Sequence, residues 1–132
     1  MLQSFPLVRL AALDLDGTLL NRNNEVTLAT RQAIARAVEH GVVVVPATGR
    51  PLASLPPVVA KLPGIRYAIT SNGAAVYHLP NRLCIHESAM EPALVCPIIE
   101  ELQKKSIHMD AFINGDGFSQ RSCEGKIDCL DM

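Results

Sequence analysis

The sequence predicts an α/β protein with a parallel sheet at its core, and three observations carry that expectation. Residues 7–13 (LVRLAAL) and 42–46 (VVVVP) are almost wholly apolar, as strands covered on both faces of a parallel sheet are. Residues 28–40, between them, have the apolar spacing of a helix. A strand, a helix and a strand joined in that order make a crossover, and the right-handed form lays both strands parallel in one sheet.

Each element has its own justification. Thr27 is a residue type that caps a helix start, Ile34, Ala37 and Val38 supply one apolar stripe, and Gly41 sits where a left-handed C-terminal residue is wanted. Pro46 closes the second strand, since it could not donate within a central ladder. A second helix is expected within residues 52–62, broken or delayed by Pro56 and Pro57. Residues 67–70 read as a third strand, Ser71-Asn72-Gly73 as a turn, and residues 74–77 with 83–86 as a hairpin around Pro-Asn-Arg. Residues 92–105 read as a helix with Pro92 in its first turn, and 109–113 with 118–121 as short strands around Asn-Gly-Asp-Gly. The final stretch, SCEGKIDCLDM, has no usable periodicity.

The totals narrow the function. A chain of 132 residues is enough for one ordinary domain with its own core. With 48% hydrophobic and 19% charged residues it belongs with globular rather than disordered chains. A net charge of -1 with scattered Lys and Arg gives no reason to expect nucleic acid or an anionic membrane as partner. Pro6 and Arg9 interrupt the N-terminal apolar run and Asp14 ends it, unlike a signal peptide, and no stretch approaches the ~20 apolar residues that span a bilayer. A cytoplasmic setting is expected. Cys84, Cys96, Cys123 and Cys129 form no Cys-x-x-Cys pair and are expected to be free thiols, and the four dispersed histidines have no ligand spacing.

The chemistry concentrates where the first strand ends. Asp14 and Asp16 are spaced so that a strand would aim both at one face, and two like charges held close ask for a cation or a set of donors. In open α/β sheets ligands bind outside the carboxyl ends of the strands. Two adjacent parallel strands would bring the paired carboxylates to one rim with Thr48, Gly49 and free backbone N–H groups. A carboxylate nucleophile, a second carboxylate as acid and base, and donors for equatorial oxygens suit a phosphoryl group. Magnesium is the natural cation, because it takes oxygen ligands and binds through one or two carboxylates plus phosphate. A calcium loop ending at Glu25 is a poor fit, since Leu19 stands where such a loop needs glycine.

Asp14-Leu15-Asp16-Gly17-Thr18 resembles the first motif of the haloacid dehalogenase-like (HAD) phosphohydrolases, and Ala47-Thr48-Gly49-Arg50 the second. With Ser71-Asn72-Gly73-Ala74 the wording is similar to the Cof-type subfamily, and the resemblance runs over residues 7–122. It implies a Rossmann-like core over residues 1–81 and the beginning of an α+β cap over 82–132. It further implies a magnesium-dependent phosphatase acting on a small phosphorylated metabolite such as a sugar phosphate. Asp14 would attack phosphorus and bind magnesium. Asp16 would act as acid and base and lend its main-chain carbonyl to the metal, Thr48 would hold a phosphoryl oxygen, and Arg50 and Asn72 would line the substrate entrance.

The family's third-motif lysine and fourth-motif acidic pair are not located in this sequence; Gly115-Asp116-Gly117 reads as a hairpin turn. The chain therefore resembles the front half of such an enzyme. The second reading is a chain that binds metal or phosphate weakly without turnover, or serves as an interaction module. So few parallel strands under a partial cap should also leave apolar edges and faces open to self-association.

Overall fold

The computed structural model describes residues 7–105 and 107–119. The tail SCEGKIDCLDM, with Cys123 and Cys129, lies outside the described residues. Five strands, β1 (Leu10–Asp14), β2 (Val43–Ala47), β3 (Tyr67–Thr70), β4 (Ala75–His78) and β5 (Leu83–Glu87), form one sheet in chain order. β1, β2 and β3 run parallel, whereas β4 and β5 continue the sheet as an antiparallel hairpin. Helices α1 (Leu28–Glu39) and α2 (Pro57–Ala60) come from the first half, and α3 (Pro92–Lys104) follows the sheet. A separate two-stranded sheet, β6 (Asp110–Ile113) and β7 (Asp116–Ser119), follows α3.

The crossover forms as its sequence dictates. The Thr27 hydroxyl accepts the Thr30 N–H at 3.2 Å and starts α1, while Gly41 (φ +79°) ends it in the left-handed region. Ile34 is buried, and Ala37 and Val38 pack against the same core as Val44, Val59 and Leu13.

Pro46 lies inside β2 rather than closing it, fully buried between two neighbouring strands. The chain tolerates it by economising on one side. Val43 N–H donates toward β1 (Arg9 O, 2.9 Å) and Thr48 N–H toward β3 (Ile69 O, 3.0 Å). Alternation therefore aims the position of Pro46's missing N–H at β3. Pairing between β2 and β3 is reduced to Ala47 opposite Ile69, whereas β1 and β2 pair over five positions.

One expectation about the first strand is corrected. Among the described residues β1 is not covered on both faces: it lies at the edge of the sheet, and its residues alternate between exposed and half-buried. The core gathers on the face of Leu13 and Val44, under α1 and α2. The opposite face carries Leu10, 57% exposed, beside Val43, 45% exposed.

Farther along, the helix within 52–62 is split as the prolines require, into a 3-10 turn (Leu52–Ser54) and α2. The division expected at residue 82 falls within a hairpin whose second strand, β5, belongs to the five-stranded sheet, and the chain leaves that sheet after Glu87. The β6–β7 turn is tighter than the four residues expected. Asn114 (φ +53°) and Gly115 (φ +85°) alone make it, the conformation that an Asn-Gly pair favours in two-residue hairpins. This turn docks on the first half of the chain: Ala53 N–H donates to Gly115 O at 2.9 Å. The hairpin thus stands beside the segment that follows Arg50.

Candidate active site

Asp14 is the last residue of β1 and pairs in register with Ala47, the last of β2. The strand stops there, so the two carboxylates are not both carried by it. Leu15, fully buried, nevertheless keeps the in-and-out alternation for one more step, and Asp14 and Asp16 both remain exposed. The chain then folds back on itself. Gly17 adopts φ +78°, Leu19 N–H donates to Asp14 O (3.1 Å), Leu20 N–H donates to Leu15 O (2.8 Å), and Leu19 and Leu20 enter the core. Leucines on either side of the acidic turn fix the backbone on which its charges stand.

Each carboxylate has found a partner. The Thr18 hydroxyl donates to Asp14 Oδ2 at 3.2 Å. Asp16 is held by Arg50 through two bonds, Nη2 to Oδ1 at 2.6 Å and Nε to Oδ2 at 3.0 Å. This two-pronged, charge-assisted pairing keeps the Asp16 carboxyl below its ordinary value, chiefly through the hydrogen bonds, and raises that of the Arg50 guanidinium.

The loop after β2 is knitted to the loop after β3. Thr48 is 6% exposed; its N–H donates to Ile69 O, and its hydroxyl oxygen accepts the Arg50 N–H at 3.1 Å. Ser71 N–H donates to Arg50 O (2.9 Å) and Asn72 N–H to Thr48 O (3.3 Å). Of the backbone donors expected here, the N–H groups of Thr48 and Arg50 are spent within the chain. What Thr48 still offers is its hydroxyl proton. Ser71 (φ +52°), Asn72 (φ +56°) and Gly73 (φ +93°) stand in the left-handed region in succession, a costly arrangement for the first two. It places Asn72 Oδ1 only 2.7 Å from where a Cβ on Gly49 would lie. Asn72 thus packs on Gly49, and a Cβ there would displace the end of the Asn72 side chain.

The donor set suits magnesium better than a ligand-rich ion. Among the described residues no group of three His, Cys, Asp or Glu side chains converges on a metal position. Asp14 gives one carboxylate oxygen to Thr18 and has lone pairs to spare, and the turn supplies the Asp16 carbonyl. Magnesium commonly binds through one or two carboxylates and keeps several waters, which accords with so few protein oxygens. Beyond the site, α3, β6 and the Tyr77 face of β4 border a mostly apolar cleft of about 580 Å³ that reaches the SNG turn at Ser71.

The structure brings Asp14, Asp16, Thr48, Gly49, Arg50 and Asn72 to neighbouring loops at one end of the sheet, with Arg50 turned onto Asp16 and Asn72 onto Gly49. Thr18 was missed as a partner of Asp14, although a hydroxyl four residues after a carboxylate in a glycine-bearing turn is a readable signal. The Arg50–Asp16 pair, 34 positions apart, left no local signal.

A mixed sheet whose parallel strands end in this pair of loops has the ligand position of an open α/β sheet, and comparison places the chain in a family. Residues 11–128 match the haloacid dehalogenase-like hydrolase family, and the chain belongs to it. It is 30% identical over 105 residues to the phosphatase YwpJ of Bacillus subtilis, covering 80% of this chain and 36% of that protein. It is 44% identical over 69 residues to the HMP-PP phosphatase of Serratia proteamaculans, covering 52% and 25%. The solved structure of a haloacid dehalogenase-like hydrolase from B. subtilis superimposes with a TM-score of 0.74 at 25% identity, covering 93% of this chain and 48% of that one. The chain therefore spans less than half the length of these relatives.

Proposed function

We propose that the chain carries the nucleophile half of a magnesium-dependent phosphatase site acting on a small phosphorylated metabolite. The observation that carries this reading is the register of β1 and β2, which ends Asp14 opposite Ala47 and so brings the loops of Asp14 and Thr48 to one end of the sheet. Two relatives that bear the name phosphatase support it. Asp14 attacks phosphorus, an Asp14 oxygen–phosphorus bond forms, and the bond to the leaving alcohol breaks. Asp16 gives that alcohol its proton and later takes one from the water that hydrolyses the aspartyl-phosphate. Thr48 donates to a phosphoryl oxygen. Asp14 and the Asp16 carbonyl would hold magnesium, which supplies charge neutralisation between an anionic nucleophile and an anionic substrate. The cap, expected from residue 82, begins after β5 leaves the core sheet at Glu87, on the support of α3 and the β6–β7 hairpin standing beside Pro51 and Leu52.

The test is hydrolysis of an aryl phosphate by the purified chain with and without magnesium, beside Asp14→Asn. We expect turnover that requires magnesium and falls by at least a hundredfold in the variant, as loss of an attacking group demands. A folded chain that binds phosphate without turnover supports the second reading, a site completed elsewhere. A folded chain that does neither overturns the proposal.

A further inference from the structure

We propose that Arg50 is a positioning residue that latches the Asp16 carboxylate in the substrate-free chain and yields it when a phosphate group takes over its guanidinium. This inference rests on the phosphatase reading and adds to it a resting state for the acid–base residue.

The geometry supplies the argument. Arg50 engages both Asp16 oxygens, at 2.6 and 3.0 Å, so that carboxylate is doubly bonded to a cation and in no position to hand over a proton. The latch has a fixed post. The Arg50 main chain is tied at its N–H by Thr48 Oγ1 and at its carbonyl by Ser71 N–H, so the guanidinium works from a stationary backbone. It also stays within reach of a ligand, since the Arg50 side chain is 33% exposed and that of Asp16 56%. A guanidinium fork fits two phosphate oxygens as well as two carboxylate oxygens, and a dianion attracts it more strongly than a single charge. A phosphate group arriving at the rim therefore competes for the same five donors. Its success releases the Asp16 carboxylate from the guanidinium while the phosphate group is bound.

A double-mutant cycle on the whole chain tests this, with inorganic phosphate as probe, in magnesium, at constant pH. We expect the Arg50 Nε–H resonance to move saturably with phosphate, and calorimetry to show phosphate binding about two- to fivefold tighter in Asp16→Asn, the range in which an exposed ion pair competes. That gain should vanish when Asp16→Asn is made in an Arg50→Gln background. Should Arg50→Gln fail to fold, Arg50→Lys serves, which keeps the charge, loses the fork and should show a reduced gain. Equal tightening in both backgrounds would mean simple repulsion by Asp16 and would overturn the latch, as would phosphate binding that leaves the Arg50 signal unmoved. In either case magnesium-dependent turnover would keep the phosphatase reading. Absence of both phosphate binding and turnover in the folded chain would sink the two together.

Discussion

Between the two acidic residues of the turn, Leu15 is fully buried, and that side chain decides where the charges go. Burying a leucine contributes roughly 1.5–3 kcal/mol, more than the repulsion of two exposed carboxylates can withdraw once Thr18 and Arg50 engage one each. Gly49 meets a different constraint, because Asn72 Oδ1 occupies the space its Cβ would need, 2.7 Å away. The obstacle is the end of an exposed side chain that can swing aside, so Gly49→Ala is expected to cost about 0.5 kcal/mol. Removing the obstacle should restore most of it, since Asn72→Gly clears the contact and relieves a left-handed non-glycine residue. Urea unfolding of the single and double variants measures both effects. A double variant as unstable as Gly49→Ala would show that the strain lies elsewhere in the loop.

The elements form for reasons that differ in range, and the range decides what the sequence disclosed. α1 is local: a hydroxyl at its start, a stripe of Ile34, Ala37 and Val38, and a glycine past its end all lie within fifteen residues. Thr27→Ala should accordingly cost about 1 kcal/mol in urea unfolding with the helix otherwise kept, and a neutral result would mean that packing alone holds its first turn. The strands, the proline break before α2 and the motif loops after β1 and β2 were readable for the same reason. The position of β1 was not, because the composition of a strand says how apolar its neighbours must be and nothing about whether they are there. Pro46 likewise reads as a strand end by its missing N–H, until the direction of that N–H toward a barely paired β3 is known. The Asp16–Arg50 pair was anticipated only as a need for some compensating partner. Which cation would meet that need depends on two loops that the sheet, and not the local sequence, brings together.

At the scale of the whole molecule, the sheet is covered on one face and open at one end of the other. Leu7, Val8 and Leu10 are all more than half exposed, Val43 nearly so, and among the described residues β1 has a partner on one side only. An apolar strand with a free row of N–H and C=O groups is a template for another strand, and β1 carries no proline or inward-pointing charge to discourage pairing. We expect the chain to self-associate through this edge, β1 against β1 of a second copy, because a two-fold arrangement buries the same leucines from both sides. Leu10→Lys should weaken the association strongly while leaving the stability of the single chain within about 0.5 kcal/mol, since Leu10 contributes little to the core that α1 and α2 cover. The far edge gives an internal control. β5 also exposes apolar side chains, Leu83 and Ile85, so Ile85→Lys in parallel separates association through β1 from general stickiness. Sedimentation velocity over a range of concentrations reads all three proteins. If Leu10→Lys associates as the parent does and Ile85→Lys does not, the open face of β1 is not the surface in use, and the apolar residues there await a partner other than this chain.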